Sequence, residues 1–248
     1  IIGDVAVIKL PDILLPYKNS IGDSLIKVNR SVRIVMMDSG VKGDLRIREL
    51  ERIAGEGGSA TIHKEFGVRM AADPSKVYFN PRLASERYRI ASLVKDGEII
   101  IDMFAGAAPF GLVICKRARP KIIYSIDINP DAERFARKSM ELNRIENIVP
   151  ITGDAAEAIK DLPEADRVIM NLPQTAEVFL ADALSKTKVS GIVHLHKVIE
   201  RSELDIFIGS MEKEAGSRGF GIIIDTVTEL KTYSPTMSVY VFDIRRVE

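Results

Sequence analysis

Three acids and one amide follow one another through the middle of this sequence, each at the end of an apolar run. Glu98 to Ile101 leads into Asp102, and small residues follow, Ala105-Gly106-Ala107-Ala108, before Pro109 and Phe110. Ile122 to Ile126 leads into Asp127, twenty-one residues after Gly106. Ile148 to Thr152 leads through Gly153 into Asp154, and Arg167 to Met170 leads into Asn171-Leu172-Pro173. An apolar run, a small-residue turn and an acid about twenty residues on is the spacing with which a nucleotide-binding α/β unit holds a ribose hydroxyl. Small residues let the backbone approach a ligand, and the start of the next helix supplies free N–H donors. The plain alternative is a Gly-containing turn in an unrelated α/β protein.

The turn departs from a dinucleotide fingerprint, because Ala107 and Ala108 stand where further glycines belong. Methyltransferases that use S-adenosylmethionine carry an acid at the end of their first strand, a Gly-containing turn, and an acid at the end of the second. Their ligand bears a sulfonium and an amino-acid group, which acids suit better than they suit a pyrophosphate. Asp154 has two uses at its position: accepting from an adenine amine, or capping the helix that starts at Ala155. Both can hold at once. Asn171-Leu172-Pro173 closes a strand at the carboxyl edge of the sheet, where ligands bind in open α/β folds. The Asn carbonyl and a proline-restrained backbone carbonyl can both face a target nitrogen, and proline stiffens the turn. Amino-group methyltransferases place Asn/Asp-Pro-Pro-aromatic there. Leu172 in the middle, with no aromatic directly after Pro173, argues against a simple adenine amine. An ordinary strand-to-helix turn is the alternative.

The elements that must position these residues are readable from periodicity. Residues 3–10, 31–37, 44–54 and 61–72 read as strands, the last with a hairpin turn at Phe66-Gly67. Ile21, Leu25 and Val28 share one face of a helix within 17–29. Asp73 to Lys76 marks an exit, so residues 1–75 are expected to form a small α+β domain and residues 76–248 a larger one. Leu83, Ile90, Ala91 and Val94 have helical spacing. Strands follow at 98–102, 122–127, 148–152, 168–171 and 191–196, with helices at 108–117, 130–143, 174–186 and 200–216. Strands at 221–230 and 239–245 flank Ser234-Pro235. Five β-α alternations and a terminal hairpin describe a Rossmann-like class I methyltransferase sheet with an antiparallel edge.

Composition sets limits. The 248 residues are 46% hydrophobic, with Lys+Arg and Asp+Glu both 35 and no net charge. That balance argues against a non-specific nucleic-acid binder, which is basic overall, and leaves room for a local basic face. No apolar run nears the ~20 residues of a membrane span, and no signal segment is visible. A chain that opens on Ile1 implies residues before it. Cys115 is alone, so the expectation is a buried thiol in a reducing cytoplasm. Three histidines and one cysteine show no metal-ligand spacing.

Asp44 to Leu50, Thr61 to Glu65, Val77 to Arg82, Ser85-Glu86-Arg87, the Asp102–Phe110 turn and Asn171-Leu172-Pro173 together resemble the archaeal/eukaryotic tRNA (guanine-37-N1) methyltransferase family over nearly the whole chain. The resemblance implies S-adenosylmethionine as cofactor and a tRNA anticodon stem-loop with G37 as partner, handled by a cytoplasmic monomer. It implies that Arg46 holds guanine O6, Glu86 is the general base for the N1 proton, and Asn171 orients the base edge. Pro173 shapes that turn, and Tyr78 lies near the guanine or the methyl donor. Lys64, Arg69, Arg82 and Arg87 meet phosphates. Cofactor contacts fall to Asp102, Phe104, Gly106, Pro109, Asp127, Ile128, Asp154 and Asn171.

The assignment is chemically coherent. Guanine N1–H is a weak acid, and a carboxylate base with a cation on O6 lowers the barrier to its loss. Glu86 suits the task best with a raised pKa, which burial supplies. Two structural alternatives stand: Glu86 pairing with Arg82 or Arg89 at i−4 or i+3, and Arg46 alternating with Arg48 on a solvated strand face. The family reads Gly-Val-Gly-Pro where this chain has Gly106-Ala107-Ala108-Pro109; if that position needs φ > 0, Ala108 costs roughly 1 kcal/mol. The small extra domain with which the family begins, contacting the outer corner of tRNA, is not in this sequence. Wybutosine-pathway relatives transfer an aminocarboxypropyl group but lack Asn-Leu-Pro, and another relative methylates a tricyclic guanosine intermediate. A non-catalytic RNA-binding module is the remaining reading.

Overall fold

Two sheets and a hairpin account for the strands among the described residues. The computed structural model describes residues 1–42 and 47–248. In the small sheet, β1 (Val5–Ile8) lies parallel to β2 (Ile34–Lys42), and β2 runs antiparallel to β3 (Ile47–Gly55). Helix α1 (Lys18–Val28) makes the crossover from β1 to β2 and packs Leu25 and Ile26 on Ala6, Val35, Ile53 and Ala54. Gly22 permits this approach, since a Cβ there would stand 2.7 Å from that of Ala54.

The β4 (Thr61–Glu65) and β5 (Val68–Ala72) hairpin turns at Phe66-Gly67, both at positive φ. It touches both sides. The Gly3 amide donates to His63 Nδ1 at 3.2 Å and the Asp4 amide to Thr61 Oγ1 at 3.1 Å. Val68 and Met70 enter the core of the large sheet, and the Ala71 amide donates to Ser139 Oγ at 2.9 Å.

The large unit runs α2 (Ala84–Leu93), β6 (Ile99–Asp102), α3 (Pro109–Arg117), β7 (Ile122–Asp127), α4 (Pro130–Asn143), β8 (Ile148–Thr152), α5 (Ala155–Ala158), β9 (Ala165–Met170), α6 (Leu180–Ser185), β10 (Thr187–Glu200), α7 (Leu204–Ser217), β11 (Ile222–Thr232) and β12 (Met237–Arg246). Its seven strands lie in the order β11-β12-β10-β9-β6-β7-β8, a doubly wound sheet as the alternation predicts. Both faces are covered, which is why the central strands read as nearly unbroken apolar runs. Ile100, Ile123 and Ile169 pack beside Phe110, Leu112 and Ile114 of α3 on one face. Ile101, Val168, Met170 and Leu195 pack beside Leu180, Ala183 and Met211 on the other.

Three details differ from the sequence reading. β12 inserts between β10 and β11 and is the strand that runs antiparallel, so it lies one place in from the edge. β10 is longer than 191–196 because its pairing with β9 slips between Thr187 and Ile192, around Ser190 at φ 69°, and then resumes. The span 174–186 begins with a 3-10 turn at Ala176–Phe179 before α6.

The strand order reverses between β6 and β9. The chain leaves β6 toward β7 and leaves β9 toward β10, on opposite sides, which opens a crevice at the carboxyl ends, the usual ligand position in such sheets. Among the described residues, no helix is long and apolar enough to cross a membrane.

Candidate functional site

The crevice is floored by the turn after β6. That turn is stitched to both neighbours: the Met103 amide donates to Ile169 O at 3.0 Å and the Ala105 amide to Ile126 O at 2.8 Å. Gly106 stands at φ 53°, and a Cβ there would lie 3.3 Å from Tyr78 O. Its N–H donates to Asp127 Oδ2 at 2.7 Å, while Asp127 Oδ1 accepts from Asn129 N at 2.9 Å. Burial pushes the Asp127 carboxyl above the ordinary value. Asn129 caps α4 by accepting from Asp131 N, and its amide donates to Lys76 O at 2.7 Å, fastening the segment that presents Tyr78. Ala108 is left-handed at φ 57°, so the condition placed on that position is met.

The remaining walls come from β8 and β9. Asp154 Oδ1 accepts from Ala156 N and Glu157 N at 2.9 and 3.1 Å, so the capping use is realised while the residue also lines the crevice. Leu172 O accepts from Thr175 N and Ala176 N, and Pro173 O from Val198 N at 2.7 Å, which fixes the Asn-Leu-Pro turn. Phe104 and Phe179 meet edge to face with centroids 5.1 Å apart. Tyr78, Phe104, Gly106, Asp127, Ile128, Asp154, Asn171 and Pro173 therefore share one crevice. Among the described residues its walls contain two carboxylates and no Lys, Arg or His.

Met103, Gly153, Ala155, Leu172 and Phe179 also line it. Their proximity to the motifs was the available signal for four of them. Phe179 had none, because an irregular turn carries it back to Phe104 from six residues beyond Pro173.

Other expected site residues lie elsewhere. Asp102 and Pro109 are not in the wall. Strand alternation sends Asp102 to the side of Ile100, behind the turn. It is 0% exposed, neither carboxylate oxygen has a partner among the described residues, and burial pushes it up to about 8, with Asp127 adding to the shift. Pro109 is the first residue of α3, where a missing N–H leaves no bond unmade.

Arg87 cannot serve a phosphate. It is 1% exposed, and its guanidinium donates to both oxygens of Glu65, at 2.6 and 2.7 Å, and to Asn80 O. Arg82 is exposed and lines a neighbouring cleft with Tyr78, Arg48 and Lys231. Lys64 and Arg69 are exposed, and the Arg69 guanidinium donates to Leu142 O. Arg46 falls outside the described residues.

Glu86 corrects a second expectation. It is 2% exposed and lies outside the crevice wall, with its two oxygens accepting from Arg89 Nη2 and Nε at 2.8 Å each. Burial raises its proton affinity, but the Arg89 guanidinium and nearby His196 outweigh burial and hold the carboxyl below the usual glutamate value. The raised pKa expected of it is absent, and the i+3 ion pair is present.

Known proteins resemble the chain end to end. The model of the TRM5/TYW2 methyltransferase domain matches residues 61–222, and that of the TYW2 N-terminal domain matches residues 1–58. The tRNA (guanine(37)-N(1))-methyltransferase Trm5b of Pyrococcus abyssi is 42% identical over 197 residues, 79% of this chain and 58% of its own length. Its crystal structure superposes with a TM-score of 0.91 at 35% identity, covering 100% of this chain and 74% of that one. The tRNA 4-demethylwyosine(37)-methyltransferase Taw21 of Saccharolobus solfataricus is 38% identical over 238 residues, 93% of this chain and 89% of its own. A TYW2 from P. horikoshii in complex with MeSAdo superposes with a TM-score of 0.84 at 26% identity, covering 99% of this chain and 89% of that one. The chain thus spans little more than half the length of the Trm5b relative.

Proposed function

The chain belongs to the TRM5/TYW2 methyltransferase family, and from that premise we propose that it transfers a methyl group from S-adenosylmethionine to N1 of guanine 37 in tRNA. The observation that carries the reading is a crevice whose walls, among the described residues, hold two acids and no cation, closed on one side by Asn171-Leu172-Pro173. Such a wall suits a cationic sulfonium ligand and repels a pyrophosphate. In this reading Asp127 takes the ribose hydroxyls, Asp154 the adenine amine, and Phe104, Ile128, Leu172 and Phe179 the adenine faces. Bound there, the cofactor supplies an electrophilic methyl. Asn171 orients the base edge, Pro173 keeps that turn rigid, and Tyr78 closes the site from the small-sheet side.

Glu86 takes the N1 proton and Arg46 holds O6 as negative charge develops. Support for Glu86 comes from the register: His196, 3.4 Å from Glu86, stands one step beyond the Leu195–Met170 pair, level with Asn171. An ionised carboxylate with a low proton affinity is a weaker base than the sequence suggests, yet one always ready to accept. Residues 1–75 form the RNA-side unit and 76–248 the cofactor unit, and the protein acts as a monomer. Arg82 meets phosphate. Arg87 and Asp102 have no place among the direct contacts.

A second reading is favoured by one observation. The Taw21 relative matches the chain over nine-tenths of its length and 89% of its own, which points to methylation of a tricyclic guanosine at the same position. Nucleoside mass spectrometry decides between them. The protein is incubated with methyl donor and tRNA carrying G37, A37 or the 4-demethylwyosine base. We expect 1-methylguanosine from G37 and nothing from A37. Equal transfer to G37 and A37 overturns the reading, transfer to the tricyclic base alone establishes the second, and an aminocarboxypropyl adduct overturns both.

A further inference from the structure

The acidic crevice has a basic neighbour. A second cleft opens beside it, and Tyr78 lines both. Lys9 after β1, Arg48 on β3, Arg82 in the turn before α2 and Lys231 on β11 bring four cations to its walls, against one acid, Asp38. Arg48 is paired with that acid. The charged groups of Lys9, Arg82 and Lys231 have neither an acid nor a hydrogen-bond acceptor among the described residues. One cavity thus carries excess negative charge and the other excess positive charge, with a single tyrosine at their border.

The Lys231 ammonium is the group that points to a ligand. Elsewhere, cations drawn below the surface are matched: Arg87 by Glu65, Arg89 by Glu86 and Asp243, and Arg167 by Glu98. Lys231 is half-buried without such a match. Burial holds its proton affinity below the ordinary lysine value, and the Arg82 guanidinium lowers it further. Two like charges near enough to act on each other repel, and an anion that bridges them removes that cost. The fold maintains the arrangement all the same. β11 slips in its pairing with β12 between Glu229 and Lys231, and a bulge of this kind re-aims a side chain. Asn80 accepts from Arg82 N at 3.0 Å through Oδ1 and donates to Tyr78 Oη at 3.3 Å through Nδ2. The Arg87 guanidinium donates to Asn80 O at 3.2 Å. Tyr78 and Arg82 are therefore braced through one residue, and the border between the two cavities is built without a ligand.

We propose that this cleft holds the substrate RNA strand at the linkages flanking the modified nucleotide, with Lys231 and Arg82 sharing one phosphate, an inference resting on the tRNA reading above. Cations supplied by four separate elements fit a strand that carries a charge at every step better than a single ion. An exposed tyrosine at the border suits a base unstacked from its neighbours. A nucleotide turned out of its loop toward the crevice leaves its backbone at the mouth, which is where the cleft begins. The methyl donor, itself cationic, then lies on the acidic side of Tyr78 and the polyanion on the basic side.

The test uses the full chain and an anticodon stem-loop RNA carrying G37, with binding measured between about 50 and 200 mM salt. Lys231→Met keeps the half-buried stem and removes the charge. It is expected to weaken binding about tenfold at the lower salt and to reduce the salt slope by about one, with S-adenosylmethionine affinity within twofold of the wild type. Lys231→Arg is expected to restore the slope. The stem-loop is then made with a neutral methylphosphonate at the linkage on either side of nucleotide 37. At one of the two, the neutral linkage is expected to weaken the wild type several-fold and to leave Lys231→Met unaffected. A wild type indifferent to both, losses that add at both, or an unchanged slope in Lys231→Met overturns the proposal. Inorganic phosphate is titrated in parallel. A phosphate affinity that falls in Lys231→Met while RNA affinity does not assigns the cleft to a free anion and overturns the strand site. If the linkage coupling is present but G37 gains no methyl group, the strand site stands and the guanine-N1 reading falls; if 1-methylguanosine forms without the coupling, the reverse holds.

Discussion

Asp102 and Glu86 are both buried carboxylates beneath one crevice, and their proton affinities move in opposite directions. Around Asp102 no cation stands among the described residues; burial is the largest influence, the Phe104 backbone amide opposes it, the Asp127 carboxylate adds to it, and the pKa is pushed to about 8. Around Glu86 burial is also the largest single influence, yet Arg89 with two hydrogen bonds and His196 close by reverse the outcome. Depth therefore does not decide the charge of an acid in this protein. The presence of a guanidinium at hydrogen-bonding distance does.

The comparison can be broken most forcefully at Arg89. Replacing it with Met leaves Glu86 and Asp243 buried without their shared cation, and we expect a loss of about 3 kcal/mol in urea unfolding. A loss below about 1 kcal/mol means that the guanidinium is not what separates the two regions.

Asp102 gives the next largest effect, and its sign follows from linkage. Its folded pKa lies above the unfolded value, so between about 4 and about 8 the folded state holds a proton that the unfolded state has released. Stability from this group is full below that window and is lost as pH rises through it. Asp102→Asn removes the loss and is expected to stabilise the protein at pH 8.5 relative to pH 5 by on the order of 2 kcal/mol more than in the wild type. Parallel pH profiles for the two proteins refute the isolation of Asp102.

The smallest effect sharpens the comparison at the turn between them. Ala108 bears a left-handed backbone, worth roughly 1 kcal/mol against it. Its methyl is fully buried in the core that α3 shares with the sheet, and a buried methyl contributes about 0.8 kcal/mol. Ala108→Gly is thus expected to leave the unfolding midpoint nearly unchanged, within about 0.5 kcal/mol, and a gain above about 1 kcal/mol shows that the methyl contributes nothing.

The crevice was legible in the sequence because its parts are local. Each wall is the end of an apolar run followed by a turn, and the sheet order brings those ends together without help from side-chain detail. Asp127, Asp154 and Asn171 are readable for that reason. The partners of Glu86 are not. Arg89 is near in sequence, but His196 reaches Glu86 from β10 more than a hundred residues away, and Asp243 reaches Arg89 from β12, whose insertion between β10 and β11 periodicity does not reveal. Arg87 misleads for the same cause: its partner Glu65 sits on a hairpin whose docking onto the large sheet has no local signature. Asp102 shows the limit of a motif, which names a residue without saying which way strand alternation turns it.

That hairpin carries a mechanical consequence. Thr61 and His63 receive the amides that lead into β1, while Ala71 binds α4 and Glu65 anchors Arg87 of α2. One short ribbon is thus riveted to both sheets along its two edges. Peeling the small sheet away strips partners from helices of the large one, so heat or denaturant meets a molecule that gives way as a whole, and a cleavage at its Phe66-Gly67 tip would be the cut that lets the halves part.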